Sequence, residues 1–215
     1  MRTILTLVAI FIFNTINNDY KAQLEEYNKQ RLSIDKNLML GLGTWSSINL
    51  LGSGIGWAVS KEEPTKYFHQ MNVMWNTINL GLSIPGYIKA HREKNELSLF
   101  QTMNEQRKTE TIFLINAGID LAYISSGLFL KNKSLTDLSK KDQLEGFGNS
   151  IILQGSFLLL FDWIAYCIHS RHFKNKLSPI LQRIHPSENG VGFKFHLDQR
   201  GNSMLKTKTS IDNLN

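Results

Sequence analysis

Charged residues are not spread evenly along this chain. They gather in blocks, and between the blocks run four stretches without Lys, Arg or Glu: Leu38–Ala58, His69–Ile88, Thr111–Leu130 and Asn149–His169. Each is about 20 residues long, enough as a helix to cover roughly 30 Å, the hydrocarbon thickness of a bilayer. A helix of a soluble bundle keeps one charged face along its length. Here that face is absent four times over. The pattern predicts an all-α fold, a four-helix transmembrane bundle.

One segment recurs inside these stretches. Trp45–Trp57 reads WSSINLLGSGIGW, and Trp75–Tyr87 reads WNTINLGLSIPGY. Residues i, i+4, i+7 and i+11 share a helix face. That puts Trp45, Asn49, Gly52 and Gly56 together in the first copy, and Trp75, Asn79, Leu82 and Gly86 in the second. Asn116, Asp120, Tyr123 and Gly127 follow the same spacing, as do Leu158, Asp162, Ala165 and His169. Gly52-x-x-x-Gly56 has the spacing that lets two helices approach closely. In the second stretch His69, Asn72, Asn76 and Asn79 step along one side as a polar ladder.

The connecting segments complete the outline. Residues 1–18 hold Arg2 and a short apolar run, the shape of a signal peptide or an uncleaved anchor. Residues 19–177 are the four-helix membrane domain. Tyr20, Leu24, Tyr27, Arg31, Ile34 and Leu38 are spaced by three or four, so the first helix starts well before its apolar part. Pro64 stands at a helix start and Pro85 at a kink. Leu97, Phe100 and Met103 extend the third helix backwards onto the early part of the first. Ser139 is the candidate start of the fourth. Residues 178–215 form a polar tail, strand-like over Gly190–Leu197 but too short there to make a sheet alone, and disordered from residue 198 on.

Composition narrows the chemistry. The single Cys167 excludes an intramolecular disulfide and a cysteine metal cluster. The net charge of +6 reflects Lys and Arg flanking the apolar stretches, not nucleic-acid binding. Gly52-x-Gly54-x-Gly56 lacks the preceding strand of a dinucleotide site. Thirteen Lys and Arg fall on the side holding residues 21–36, 89–108 and 171–183, against six on the side holding residues 61–66 and 131–141. That asymmetry places both ends of the bundle in the cytoplasm, whereas a cleaved signal would place the new N-terminus outside. The expected location is a bacterial inner membrane. The expected partners are the lipid bilayer and a second copy or another membrane protein, with no nucleic acid.

Candidate chemistry gathers at mid-depth. Asn49, Asn79 and Asp120 lie near the centres of their stretches, and Asp162 lies within a turn of its own. An ionised Asp at that depth costs about 2.5–3.5 kcal/mol on insertion scales, and no Lys or Arg inside the stretches can pair with it. Asp120 and Asp162 are therefore expected to be protonated, to share a proton or to face water. Asn116, Asn76 and Gln154 can supply further hydrogen bonds. One reading makes this polar core interhelical glue in a structural or interaction protein. A second makes it a small-ligand or proton-coupled binding or transport site using Asp120, Asp162, Asn49, Asn79, Asn116, Asn76, His69 and Asn72. A third is a haem or other redox protein using His91, His169 and His172. No catalytic constellation, metal-ligand set or cofactor motif is expected.

The run YFHQMNVMWNTINLGLSIPGY, with FLINAGIDLAYISSGLFL and GFGNSIILQGSFLLLFDWIAYCIHSRH, resembles an uncharacterised family of small bacterial membrane proteins of the Bacteroidota type. The resemblance covers roughly residues 22–175. Its pieces are His69, Met71, Asn72, Trp75 and Asn76, then Asn116–Asp120, Gly146–Gly148, Gln154–Gly155 and Phe161–Asp162. It implies a multi-helix membrane domain and no assigned activity.

Overall fold

The computed structural model describes residues 2–182, 184–187 and 190–193, with side chains at Thr6, Thr15 and residues 18–182. Its main unit is built from four long helices: α1 (Arg2–Val59), α2 (Glu63–Arg92), α3 (Leu99–Lys133) and α4 (Lys141–His172). Each apolar stretch lies inside one of them. Helix α1 is continuous from Arg2, so the signal-like run, the periodic polar run and the first apolar stretch form one helix. Most side chains of residues 2–17, on which the signal reading rests, lie outside the described ones.

Local chemistry sets the other boundaries. Pro64 sits in the first turn of α2, where its missing N–H removes no helical bond. Helix α3 opens in a capping box, as Ser98 Oγ accepts from the Gln101 amide and Gln101 Oε1 accepts from the Ser98 amide. The charged segment before the third apolar stretch is thus helical, as its period predicts. Ser139 does not cap α4. It sits in a single 3-10 turn, Leu138–Lys140, and its hydroxyl donates to Asp137 two residues back at 2.6 Å. Helix α4 begins at Lys141 without a side-chain cap. Pro85 lies within α2, which continues to Arg92.

Helix α1 lies along α2, and α3 along α4, giving two antiparallel hairpins that meet through α2 and α4. Glycines set the closest approaches. A Cβ at Gly127 would stand 2.9 Å from the Gly148 carbonyl, and one at Gly148 would stand 2.8 Å from the Gly127 carbonyl. Helices α3 and α4 therefore cross in backbone contact. Gly146 does the same against Pro64 and Phe68 at the start of α2. The Gly52–Gly56 pair is only half an interface. Gly56 packs on the His69 ring, whereas nothing lies within 4 Å of a Cβ at Gly52. Helix α1 buries Leu42, Ser46 and Ser53, one residue round from the face that starts at Trp45. In α2 the buried stripe is Asn72, Asn76, Asn79 and Ser83, while Leu82 is 63% exposed. The Trp-based faces are offset by a residue in both copies, because the small and polar side chains turn inward and the tryptophans stand at their flank.

The distribution of polarity follows from those stripes. Among described residues, eleven hydrophobic side chains are buried, against twenty-seven large ones that are exposed. The exposed set recurs along all four helices, from Leu40 and Ile48 to Ile164 and Ile168. The interior holds Ser46, Asn72, Asn76, Gln154, Asp120 and Asp162 instead. Leu99–Lys133 and the continuous run Leu138–Gln182 are long and apolar enough to cross a membrane. Helices α1 and α2 carry more polar residues, and Ser46, Ser53, Asn72, Asn76, Asn79 and Ser83 among them face inward.

Beyond a π turn at Phe173–Leu177 the chain forms a separate unit. It holds a short helix, α5 (Ser178–Gln182), and an antiparallel hairpin of β1 (Ile184–Ser187) and β2 (Gly190–Phe193). The strand-like alternation after Gly190 is a strand. It finds a partner in Ile184–Ser187, which Pro186 disguises in the sequence. The segment read as disordered, 198–215, lies outside the described residues.

Candidate functional site

Asp120 of α3 and Asp162 of α4 are brought together. Both are buried, 2% and 5% exposed, both line one cleft, and their carboxyls are near enough to interact directly. Two ionised carboxylates side by side repel, and a proton on one of them would remove the repulsion and supply a donor. Among the described residues, Asp120 Oδ2 has no hydrogen-bond partner. Gly155 makes the approach possible. It lies two turns before Asp162, and a Cβ there would stand 3.0 Å from the Ile124 side chain and 3.3 Å from the Asp120 carbonyl.

A cleft of about 320 Å³ opens in front of the pair, with Asn79 of α2 and Asn116 of α3 also on its wall. Trp75, Tyr123 and Phe161 line it with aromatic rings. Trp75 and Tyr123 meet edge to face, with centroids 4.7 Å apart. Ile78 and Leu82, both more than 60% exposed, stand on its outer rim. The cleft thus lies between α2 and α3, opens sideways onto the apolar exterior and has a polar floor.

Asn49, Asn72 and Asn76 belong to a different network. Asn72 uses every site it has. Its Nδ2 donates to Asn49 Oδ1 at 3.0 Å and Ser53 Oγ at 2.5 Å, and its Oδ1 accepts from Gln154 Nε2 and from Asn76 Nδ2 at 3.3 Å. Gln154 Oε1 in turn accepts from Trp45 Nε1 at 3.2 Å, and the Trp45 ring stacks on Phe157 at 3.8 Å. One side chain so ties α1, α2 and α4. Among described residues no hydrogen bond links this network to the carboxyl pair. The single mid-depth site expected from the sequence is therefore two: a saturated junction around Asn72 and an acidic cleft with Asn79, Asn116, Asp120 and Asp162. His69 joins neither by a hydrogen bond, because its ring is occupied in packing on Gly56.

A third cluster sits where the early part of α1 meets α2, α3 and α4. Arg31, 2% exposed, reaches Glu93 at 2.7 Å and Asp35 at 3.4 Å. His169 Nε2 lies 3.1 Å from the other Asp35 oxygen, and Phe113 stacks on the His169 ring. Tyr27 OH donates to Gln106 at 2.5 Å, and Asn28 donates to Thr102 at 2.8 Å. Burial pushes the Tyr27 phenol well up. The sequence marked this cluster only through Arg31, a cation at a core position of an otherwise apolar period. His91, grouped with His169 and His172 in the haem reading, is exposed and lies parallel to Tyr87. His169 and His172 are held instead by Asp35 and by a 4.4 Å stack on Tyr27.

Fold and site together define an α-helical bundle with a polar interior and a largely apolar exterior. The chain belongs to DUF6992, a family of unknown function, which matches residues 41–163. The match takes in the acidic cleft and the Asn72 junction, and it leaves out Arg31, Asp35 and His169. No curated protein and no solved structure matches the chain.

Proposed function

We propose that this is a four-span integral membrane protein of a bacterial inner membrane, with both ends of the bundle on the cytoplasmic side. We further propose that Asp120 and Asp162 form its binding site, for a small lipophilic cation taken up in exchange for the proton they share. The inverted polarity supports the first part. Every exposed CH₂ left in water forgoes about 0.8 kcal/mol, and the outward Leu and Ile of α1 and α2 match those of the more apolar α3 and α4. The lateral cleft carries the second part. It pairs two buried carboxyls with three aromatic rings and offers no cation of its own. A cation placed there neutralises the pair and meets ring faces, an interaction of about 0.5–2 kcal/mol. Glue alone leaves the sideways opening without a role.

Tetraphenylphosphonium is a suitable probe for titration calorimetry of the purified protein in two buffers of different ionisation enthalpy. The expected result is binding with release of about one proton at pH 7, weakened more than about tenfold in Asp162→Asn. Binding without proton release, or binding indifferent to Asp162→Asn, would contradict the assignment.

A further inference from the structure

A second cleft, of about 260 Å³, lies one turn further along the groove between α2 and α3. Leu82 on α2 and Asn116 on α3 border the acidic cleft, and Gly86 and Phe113 border this one. Its chemistry differs. Arg31, Asp35, Lys89 and Glu93 all line it, and Met39, Ile112 and Phe113 supply its apolar wall. Arg31 is buried and its two terminal nitrogens reach Asp35 and Glu93, yet among the described residues its Nε has no partner. Lys89 stands at the mouth, 63% exposed, 3.6 Å from Glu93 and 4.0 Å from Glu105. A simple anion in this cleft would meet Asp35 and Glu93. A simple cation would meet Arg31 and Lys89. A ligand carrying both signs satisfies both pairs at once.

We propose that this cleft seats the headgroup of a zwitterionic aminophospholipid, its phosphate toward Arg31 Nε and Lys89 and its ammonium toward Asp35 and Glu93. The inference rests on the membrane reading but not on the cation site. The groove supports that occupant in a second way. From Lys89 to Trp75 the α2 wall runs 14 residues, about 21 Å at the helical rise. An acyl chain has room to lie along it between exposed Ile78, Leu82 and Ile112. A primary ammonium offers three N–H donors to the two carboxylates, which a glycerol headgroup lacks as a charge.

Native mass spectrometry of the purified protein, titrated with phosphatidylethanolamine or phosphatidylglycerol of identical chains, tests this. The wild type is expected to hold the ethanolamine lipid at least about tenfold more tightly. Glu93→Gln removes the ammonium partner and should abolish that preference. Lys89→Ala, an exposed change, should weaken retention of the ethanolamine lipid several-fold, while Lys61→Ala at the opposite end should leave it unchanged. Equal or better retention of phosphatidylglycerol by the wild type, retention of neither lipid, or an undiminished preference in Glu93→Gln would overturn the proposal. Release of the protein from membranes by alkaline carbonate would instead refute the membrane reading beneath it.

Discussion

At the scale of single residues the account turns on protons. Asp120 and Asp162 are buried neighbours on a cleft lined by no Lys or Arg, and a shared proton is the expected way for them to coexist. Infrared spectroscopy should show a protonated carboxyl band at pH 7 in the wild type. Asp162→Asn and Asp120→Asn should each shift or remove it, since either leaves a lone acid facing an amide that donates to it. A spectrum with ionised carboxylates alone would mean that water reaches both. His172, beyond the end of the fourth apolar stretch, makes a separate prediction. Burial first, then the neighbouring His169, Lys176 and Arg31, hold its imidazole down at about 4. An unfolded chain titrates it near 6.5. The folded state then binds fewer protons, so this contribution to stability is complete above about pH 6.5 and fades as pH falls toward 4. His172→Phe keeps a flat ring on Tyr27 and should flatten the loss of thermal stability between pH 6.5 and 4.5. An unchanged slope would show that His172 does not carry that loss.

Residue identity was the most legible level of the sequence. Two acids in stretches without Lys or Arg stood out as a candidate site, and the structure sets both on the wall of one cleft. The Asn72 junction was visible only as a ladder, because amide hydrogen bonds leave no spacing rule for their partners on other helices. The Arg31 cluster was least visible. It draws on residues far apart in the chain, with Glu93 62 residues from Arg31 and His169 134 residues from Asp35, and its charged members look like ordinary charges near helix ends.

At the scale of helices, small residues decide which pairs touch. Gly127→Leu should separate α3 from α4, since a Cβ alone already falls within 3 Å of the Gly148 carbonyl and of Ile152. The expected outcome is loss of the monodisperse protein in size-exclusion chromatography. Gly52→Ala meets nothing, and it should raise stability by up to about 1 kcal/mol through helix propensity. The two glycines carry similar small-residue motifs in the sequence, so only the partner's position separates them. Asn72→Leu removes four hydrogen bonds at once. At about 0.6 kcal/mol each in a membrane setting, it should cost roughly 2–3 kcal/mol in a reversible detergent unfolding assay. A cost below about 0.5 kcal/mol would show that the junction contributes no cohesion. The four helices themselves were legible from the gaps between charges. The offset of their buried faces was not, because a tryptophan at the edge of an interface dominates a hydrophobic period without being its centre.

At the scale of the whole molecule, the polar interior and the largely apolar exterior of the helical bundle form one pattern. Helices α3 and α4 are apolar enough to cross a membrane by composition. Among the described residues helices α1 and α2 do not reach that hydropathy, and Ser46, Ser53, Asn72, Asn76, Asn79 and Ser83, which lower the average, are buried. The four-span account therefore stands or falls on α1 and α2. Nitroxide labels at Ile55 and Ile78, each introduced as a single cysteine in a Cys167→Ser background and reconstituted in liposomes, report their surroundings by electron paramagnetic resonance power saturation. The account predicts high oxygen accessibility and low accessibility to a polar nickel reagent at both sites, the reverse of a label at Lys61. Nickel accessibility at Ile55 or Ile78 equal to that at Lys61 would place α1 and α2 in water and contradict the four-span bundle.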